Sequence, residues 1–116
     1  MTEYHDRLKY LMDDLVHSVY DCTESFPRSE LFGLTSQLRR AALSVILNYI
    51  EGYARMKKLV TKNFLEISCG SLKESKYLVH FSYKRKLLDD NQYKKLTELT
   101  EEIGKMLWGT ICKINS

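Results

Sequence analysis

The stretch that begins at Leu38 constrains the fold more than any other part of the chain. Its polar residues Arg40, Ser44, Asn48, Glu51 and Arg55 recur at intervals of three or four, so on a helix they share one narrow stripe. Apolar or small residues, among them Leu43, Val45, Ile46, Leu47, Tyr49 and Ile50, fill most of the remaining circumference. A helix that is apolar nearly all round is not a surface helix. In a chain of 116 residues, the expectation is that its own bundle covers one face and another subunit covers the other.

Three further helical patterns surround it. Leu8, Leu11, Met12, Leu15, Val16, Val19 and Cys22 repeat at three- and four-residue steps and predict a helix over about 4–23. Asp6, Asp13, Asp14, His17 and Asp21 make its solvated face. That helix stops before Pro27, whose ring disfavours helical geometry in the residue before it, and Phe26, Leu31 and Phe32 are expected to plug the end of the bundle. Helix 2 is expected over about 34–56. Thr61 reads as the N-cap of a third helix over about 62–87, with Val60 and Leu65 spaced for a hydrophobic staple. Ser68, Ser71, Ser75 and Ser82 on its core face leave room for another helix at close range. Asp89 and Gln92 have capping-box spacing and open a fourth helix over about 90–114. Gly52 and Gly70, each inside a helix at about 1 kcal/mol relative to alanine, read as places where a neighbouring helix comes close. Short connections put consecutive helices antiparallel. The expected architecture is therefore all-α, one up-down-up-down four-helix-bundle domain over residues 1–116.

Composition narrows the function classes. There is no apolar run of about 18 residues, and no basic leader followed by an apolar segment, so no membrane partner is expected and the expected address is the cytoplasm. Cys22, Cys69 and Cys112 stand far apart, outside any C-x-x-C pair, and each falls where a helical stripe takes a small apolar residue. They read as reduced packing residues, with no metal. His5, His17 and His80 lie on separate helices, Asp13 and Asp14 are adjacent and so point to different sides, and no phosphate-loop or metal-helix motif is present. No catalytic residue and no cofactor is expected.

The charge is uneven in a way that points to a polyanion. Nine basic residues between Arg55 and Lys86 face two acidic ones, a local net charge of +7, which leaves −4 for the rest of a chain whose total is +3. Arg55, Lys57, Lys58 and Lys62 cluster near one helix end, and Lys84, Arg85 and Lys86 near the other. Between them Lys73, Lys76, His80 and Lys84 fall on one helical ridge flanked by Tyr77 and Tyr83. Lysines so placed suit the phosphates of a strand and tyrosines suit its bases; the same pattern also serves a solvated face whose lysine stems cover apolar surface. Arg39 and Arg40 read as structural, Arg39 pairing with a carboxylate at an interface. Trp108 lies about 140° around the helix from Ile103, off the core stripe, where a large aromatic serves a subunit contact or edge packing.

The string Gly33-Leu34-Thr35-Ser36-Gln37-Leu38-Arg39-Arg40-Ala41-Ala42 is followed by Asn48, Glu51, Gly52, Tyr53 and Arg55, by a block from Asn63 to Ser75, and by EEIGKML from Glu101 to Leu107. Together these resemble the four-helix-bundle proteins encoded in intervening sequences of bacterial 23S rRNA genes, a superfamily that includes the accessory protein of diversity-generating retroelements. The resemblance covers about 34–107. It implies a ring-forming homo-oligomer, often a pentamer; the candidates for its interface, from their places on the helices, are Arg39, Arg40, Leu43, Leu47 and Trp108. In the retroelement branch it implies a basic body that binds nucleic acid and a reverse transcriptase. For the intervening-sequence branch it implies no settled activity. The expectation is thus a non-enzymatic bacterial scaffold or RNA- or DNA-binding protein, the alternative being a protein-interaction adaptor that works through its ring surface.

Overall fold

A computed structural model describes residues 2–115, and the side chains of residues 2–114, as four α-helices with no strand among the described residues. Helix α1 is Glu3–Thr23, α2 Ser36–Tyr53, α3 Lys58–Lys84 and α4 Asp90–Asn115; a 3-10 turn (Arg28–Glu30) and a π-helical turn (Leu31–Thr35) lead into α2. The principal neighbours of α1 are α2 and α4, and those of α3 are likewise α2 and α4. Leu8, Met12, Leu15 and Val19 of α1 meet Leu38, Val45 and Tyr49 of α2, Leu65 and Val79 of α3, and Leu96, Ile103 and Leu107 of α4 in one core. Cross-links tie α1 to α4 along their length: the Tyr4 hydroxyl donates to the Met106 carbonyl at 2.6 Å, Arg7 pairs with Glu102 at 3.8 Å, and Lys95 with Asp14 at 3.6 Å.

The α2–α3 seam is built from small residues and hydroxyls. Ser68 Oγ donates to the Val45 carbonyl at 2.6 Å, Ser44 and Ser71 share a hydrogen bond of 2.7 Å, and Thr61 Oγ1 donates to the Gly52 carbonyl at 2.8 Å. A Cβ at Gly52 would lie 3.1 Å from Phe64 Cβ and 3.2 Å from the Thr61 carbonyl oxygen, tight enough that α2 and α3 would have to give way by a few tenths of an ångström. Gly52→Ala is expected to lower the unfolding temperature: overpacking against a backbone carbonyl costs about 1–3 kcal/mol, more than the gain of up to about 1 kcal/mol in helix propensity. Thermal unfolding followed by circular dichroism checks the sign. Gly70 differs from the expectation, since nothing lies within 4 Å of where its Cβ would be.

Several helix ends depart from the sequence reading. Thr61 is not an N-cap; α3 starts at Lys58, and the Thr61 hydroxyl serves the last turn of α2 instead. Helix α2 ends at Tyr53, short of Met56, and α3 at Lys84, short of Leu87. The α3 end is closed by Leu87 N–H to the Ser82 carbonyl and Lys86 N–H to the Tyr83 carbonyl, both 2.9 Å, with Lys86 at φ 63°. That is a Schellman closure with lysine in the left-handed position glycine usually takes. The Asp89–Gln92 capping box forms as expected, with reciprocal bonds of 2.7 and 2.9 Å. Phe26 is buried, but Leu31 and Phe32 are not plugs: Phe32 is 93% exposed, carried outward by the irregular turn at Gly33.

Candidate nucleic-acid interface

The basic clusters sit at the two ends of α3, which at 27 residues is roughly 40 Å long. At one end Arg55, Lys57 and Lys58 are exposed and Lys62 is half-buried. Arg55 pairs with Glu51, and its guanidinium lies 5.1 Å from the centre of the Phe64 ring, so part of that charge is already engaged. At the other end Lys84, Arg85 and Lys86 are all exposed, and among the described residues none of them forms an ion pair. The nearest carboxylates in sequence already accept hydrogen bonds, Asp89 from the Gln92 backbone N–H at 2.7 Å and Asp90 from the Tyr83 hydroxyl at 2.6 Å.

The ridge between the clusters is partly neutralised. Lys73, Lys76, His80 and Lys84 are exposed along α3, but Lys76 lies 3.6 Å from Glu101 and His80 Nδ1 lies 3.5 Å from the Tyr93 hydroxyl. Of the two flanking tyrosines, Tyr77 is exposed, whereas Tyr83 is stacked on Tyr93 with ring centres 4.0 Å apart. One face of Tyr83 is thereby covered by protein, and its bond to Asp90 raises its pKa. Lys86 is the strained member of the set. A non-glycine residue in the left-handed region costs about 1 kcal/mol, so Lys86→Gly is expected to raise stability by about that amount while weakening nucleic-acid binding. Paired denaturation and binding curves check both signs.

A second surface is apolar and open. Leu43, Leu47 and Ile50 of α2 and Ala54 just past its end follow one another at steps of four, three and four; Leu47 is 57% exposed and Ile50 50%, while Leu43 is half-buried. On neighbouring α3, Leu59, Ile67, Gly70, Tyr77 and Phe81 share an outward stripe with Asn63 and Glu74. Arg40 is exposed beside the α2 stripe. Arg39 turns the other way: its Nε donates to Thr23 Oγ1 at 2.8 Å and its guanidinium stacks 4.5 Å from the Tyr20 ring centre, so its partners are a hydroxyl and a ring on α1 rather than the expected carboxylate. Trp108 is 60% exposed, over a groove between α3 and α4.

One cluster lies outside the sequence reading. The His5 ring and the Tyr49 hydroxyl share a hydrogen bond, and Tyr53 packs on both rings at 4.9 and 5.0 Å between centres. Burial lowers the His5 pKa and raises that of Tyr49. The i, i+4 spacing of Tyr49 and Tyr53 is the one local signal of it; their link to His5, 44 residues from Tyr49, leaves no mark in the sequence pattern. The bond satisfies a buried phenol. Among the cysteines Cys22 is buried, Cys69 half-buried and Cys112 exposed, so Cys112 is no packing residue. Among the described residues no helix is long and apolar enough to cross a membrane, and no three His, Cys, Asp or Glu side chains converge on a metal position.

The chain superimposes with a TM-score of 0.83 on a crystal structure of a protein of unknown function from the S23 ribosomal protein family of Bacteroides thetaiotaomicron VPI-5482, at 18% identity, covering 90% of this chain and 97% of that one. At that identity the likeness shows the fold. No curated protein matches. The family model for 23S rRNA-intervening sequence proteins matches residues 10–109, and the chain belongs to that family.

Proposed function

We propose that the protein is a non-enzymatic, cofactor-free nucleic-acid-binding scaffold of the cytoplasm. Its four helices, consecutive ones antiparallel, form the protomer of a closed homo-oligomeric ring, a pentamer on the family resemblance. The observation that carries the binding reading is the Lys84–Arg85–Lys86 turn, three exposed cations without ion pairs among the described residues, one of them held in a backbone conformation that favours glycine. A ring repeats that turn around its rim. The names of the family and of the structural neighbour both refer to ribosomal components, which makes structured RNA the first ligand to test; a reverse transcriptase is a further partner where the gene adjoins one.

The open apolar face supports the second reading, an adaptor that holds another protein. Titration against structured RNA, single-stranded DNA and duplex DNA at two salt concentrations separates the two. Phosphate-driven binding gives an affinity that falls linearly on a log-log plot against salt, with little dependence on sequence. Absence of binding to all three at about 50 mM salt, where screening is weak, leaves the adaptor.

A further inference from the structure

The groove beneath Trp108 has a chemistry unlike the open apolar face. Its floor is Leu72, Cys69 and Gly104; a Cβ at Gly104 would stand 3.5 Å from Leu72 Cδ2, so the glycine keeps the floor wider by one methyl. Its rim carries Lys73 and Lys76 from α3 and Lys105 and the carboxylate of Glu101 from α4. Lys76 is paired with Glu101 at 3.6 Å, while among the described residues neither Lys73 nor Lys105 forms an ion pair. Over this stands the indole of Trp108, more than half exposed. The cavity is about 450 Å³, within the range of small-ligand sites.

We propose that this groove holds the base of a single-stranded nucleotide against Trp108, with Lys73 and Lys105 on its phosphate. This rests on the nucleic-acid reading above and gives it a location. The charge decides the occupant. A second copy inserting an apolar helix face here would bury the Lys73 and Lys105 ammonium groups, neither of which forms an ion pair among the described residues, which is unfavourable. A nucleotide satisfies both halves of the site: its base has a planar face to stack on an indole, and its phosphate supplies an anion for Lys73 and Lys105, the rim carboxylate Glu101 being paired with Lys76. Bases in a duplex are stacked on both faces, so the occupant is a single strand or an unpaired loop. The subunit role expected for Trp108 then passes to the α2–α3 face.

Trp108 is the chain's one tryptophan, so its emission reports on this groove alone. The experiment titrates the full chain with oligothymidylate, following the anisotropy of a labelled strand and, separately, Trp108 emission with an unlabelled one. The expected result is quenching whose midpoint coincides with the anisotropy curve, a loss of affinity of about 5- to 100-fold in Trp108→Ala, and partial rescue in Trp108→Phe. Because Trp108 is largely exposed, these variants leave the core intact. If anisotropy saturates while emission stays constant and Trp108→Ala binds like the parent, the groove is not the base site, and the nucleic-acid reading stands without it. If neither oligothymidylate nor RNA raises the anisotropy, the reading itself falls and takes the proposal with it. A change in emission on diluting the protein alone shows that another copy covers the groove, which also overturns it.

Discussion

Leu47→Glu is expected to reduce the solution mass from several multiples of 13.7 kDa to 13.7 kDa while leaving the far-ultraviolet helical signal in place. Light scattering after gel filtration reads the first and circular dichroism the second. Leu47 is more than half exposed in the protomer and belongs to no part of its core, so glutamate there charges the outer face of α2 without placing a charge inside the bundle. In an assembly that covers this face the same change removes the burial of the exposed half of the leucine, about 1–2 kcal/mol, and adds the cost of dehydrating a carboxylate. A closed ring suffers that loss at every interface. Gly70 bears on the same face of the molecule. Inside the protomer nothing explains a mid-helix glycine at that position, and a subunit pressing on α3 would supply the reason the chain itself does not. A parent protein that runs as a monomer at micromolar concentration would remove the ring from the reading, and the open face would then belong to a different partner.

The helices and their buried faces are legible in the sequence because both follow from spacing alone. Leu8 to Cys22 repeat at helical steps, and all seven of the core positions read from that repeat are buried. The helix ends are less legible because they are decided by partners distant in sequence. A threonine such as Thr61, close to a helix start, has the same local pattern whether its hydroxyl caps its own helix or, as here, the Gly52 carbonyl of the preceding one. Phe32 has the composition of a plug, and only the turn geometry at Gly33 puts it in solvent. In the candidate interface, the distribution of charge can be read directly, but its neutralisation cannot. Lys76 meets Glu101 and Tyr83 meets Tyr93 only once α3 and α4 lie side by side. Arg39 shows the same limit, since its partners Tyr20 and Thr23 are on α1.

Changing Lys84, Arg85 and Lys86 together to glutamine is expected to weaken binding to RNA and DNA of every sequence by a similar factor and to reduce the salt slope by up to about three. Every phosphate that a cation neutralises releases close to one counterion, about 0.9 for duplex and 0.7 for single strands, so the change in slope measures how many of the three side chains reach phosphate. The variant should fold and assemble as the parent does. All three side chains are exposed, none belongs to the core, and the hydrogen bonds that close α3 here are made by backbone groups. Base stacking at Trp108 does not depend on released ions, so the triple variant and Trp108→Ala should differ in kind: the first lowers the slope, whereas the second lowers affinity at every salt concentration and leaves the slope nearly unchanged. A triple variant with unaltered slope would mean that phosphate is held elsewhere. The cluster of Arg55, Lys57, Lys58 and Lys62 at the opposite end of α3 would then be the place to repeat the substitution, with Arg55 the weakest contributor because Glu51 already holds it.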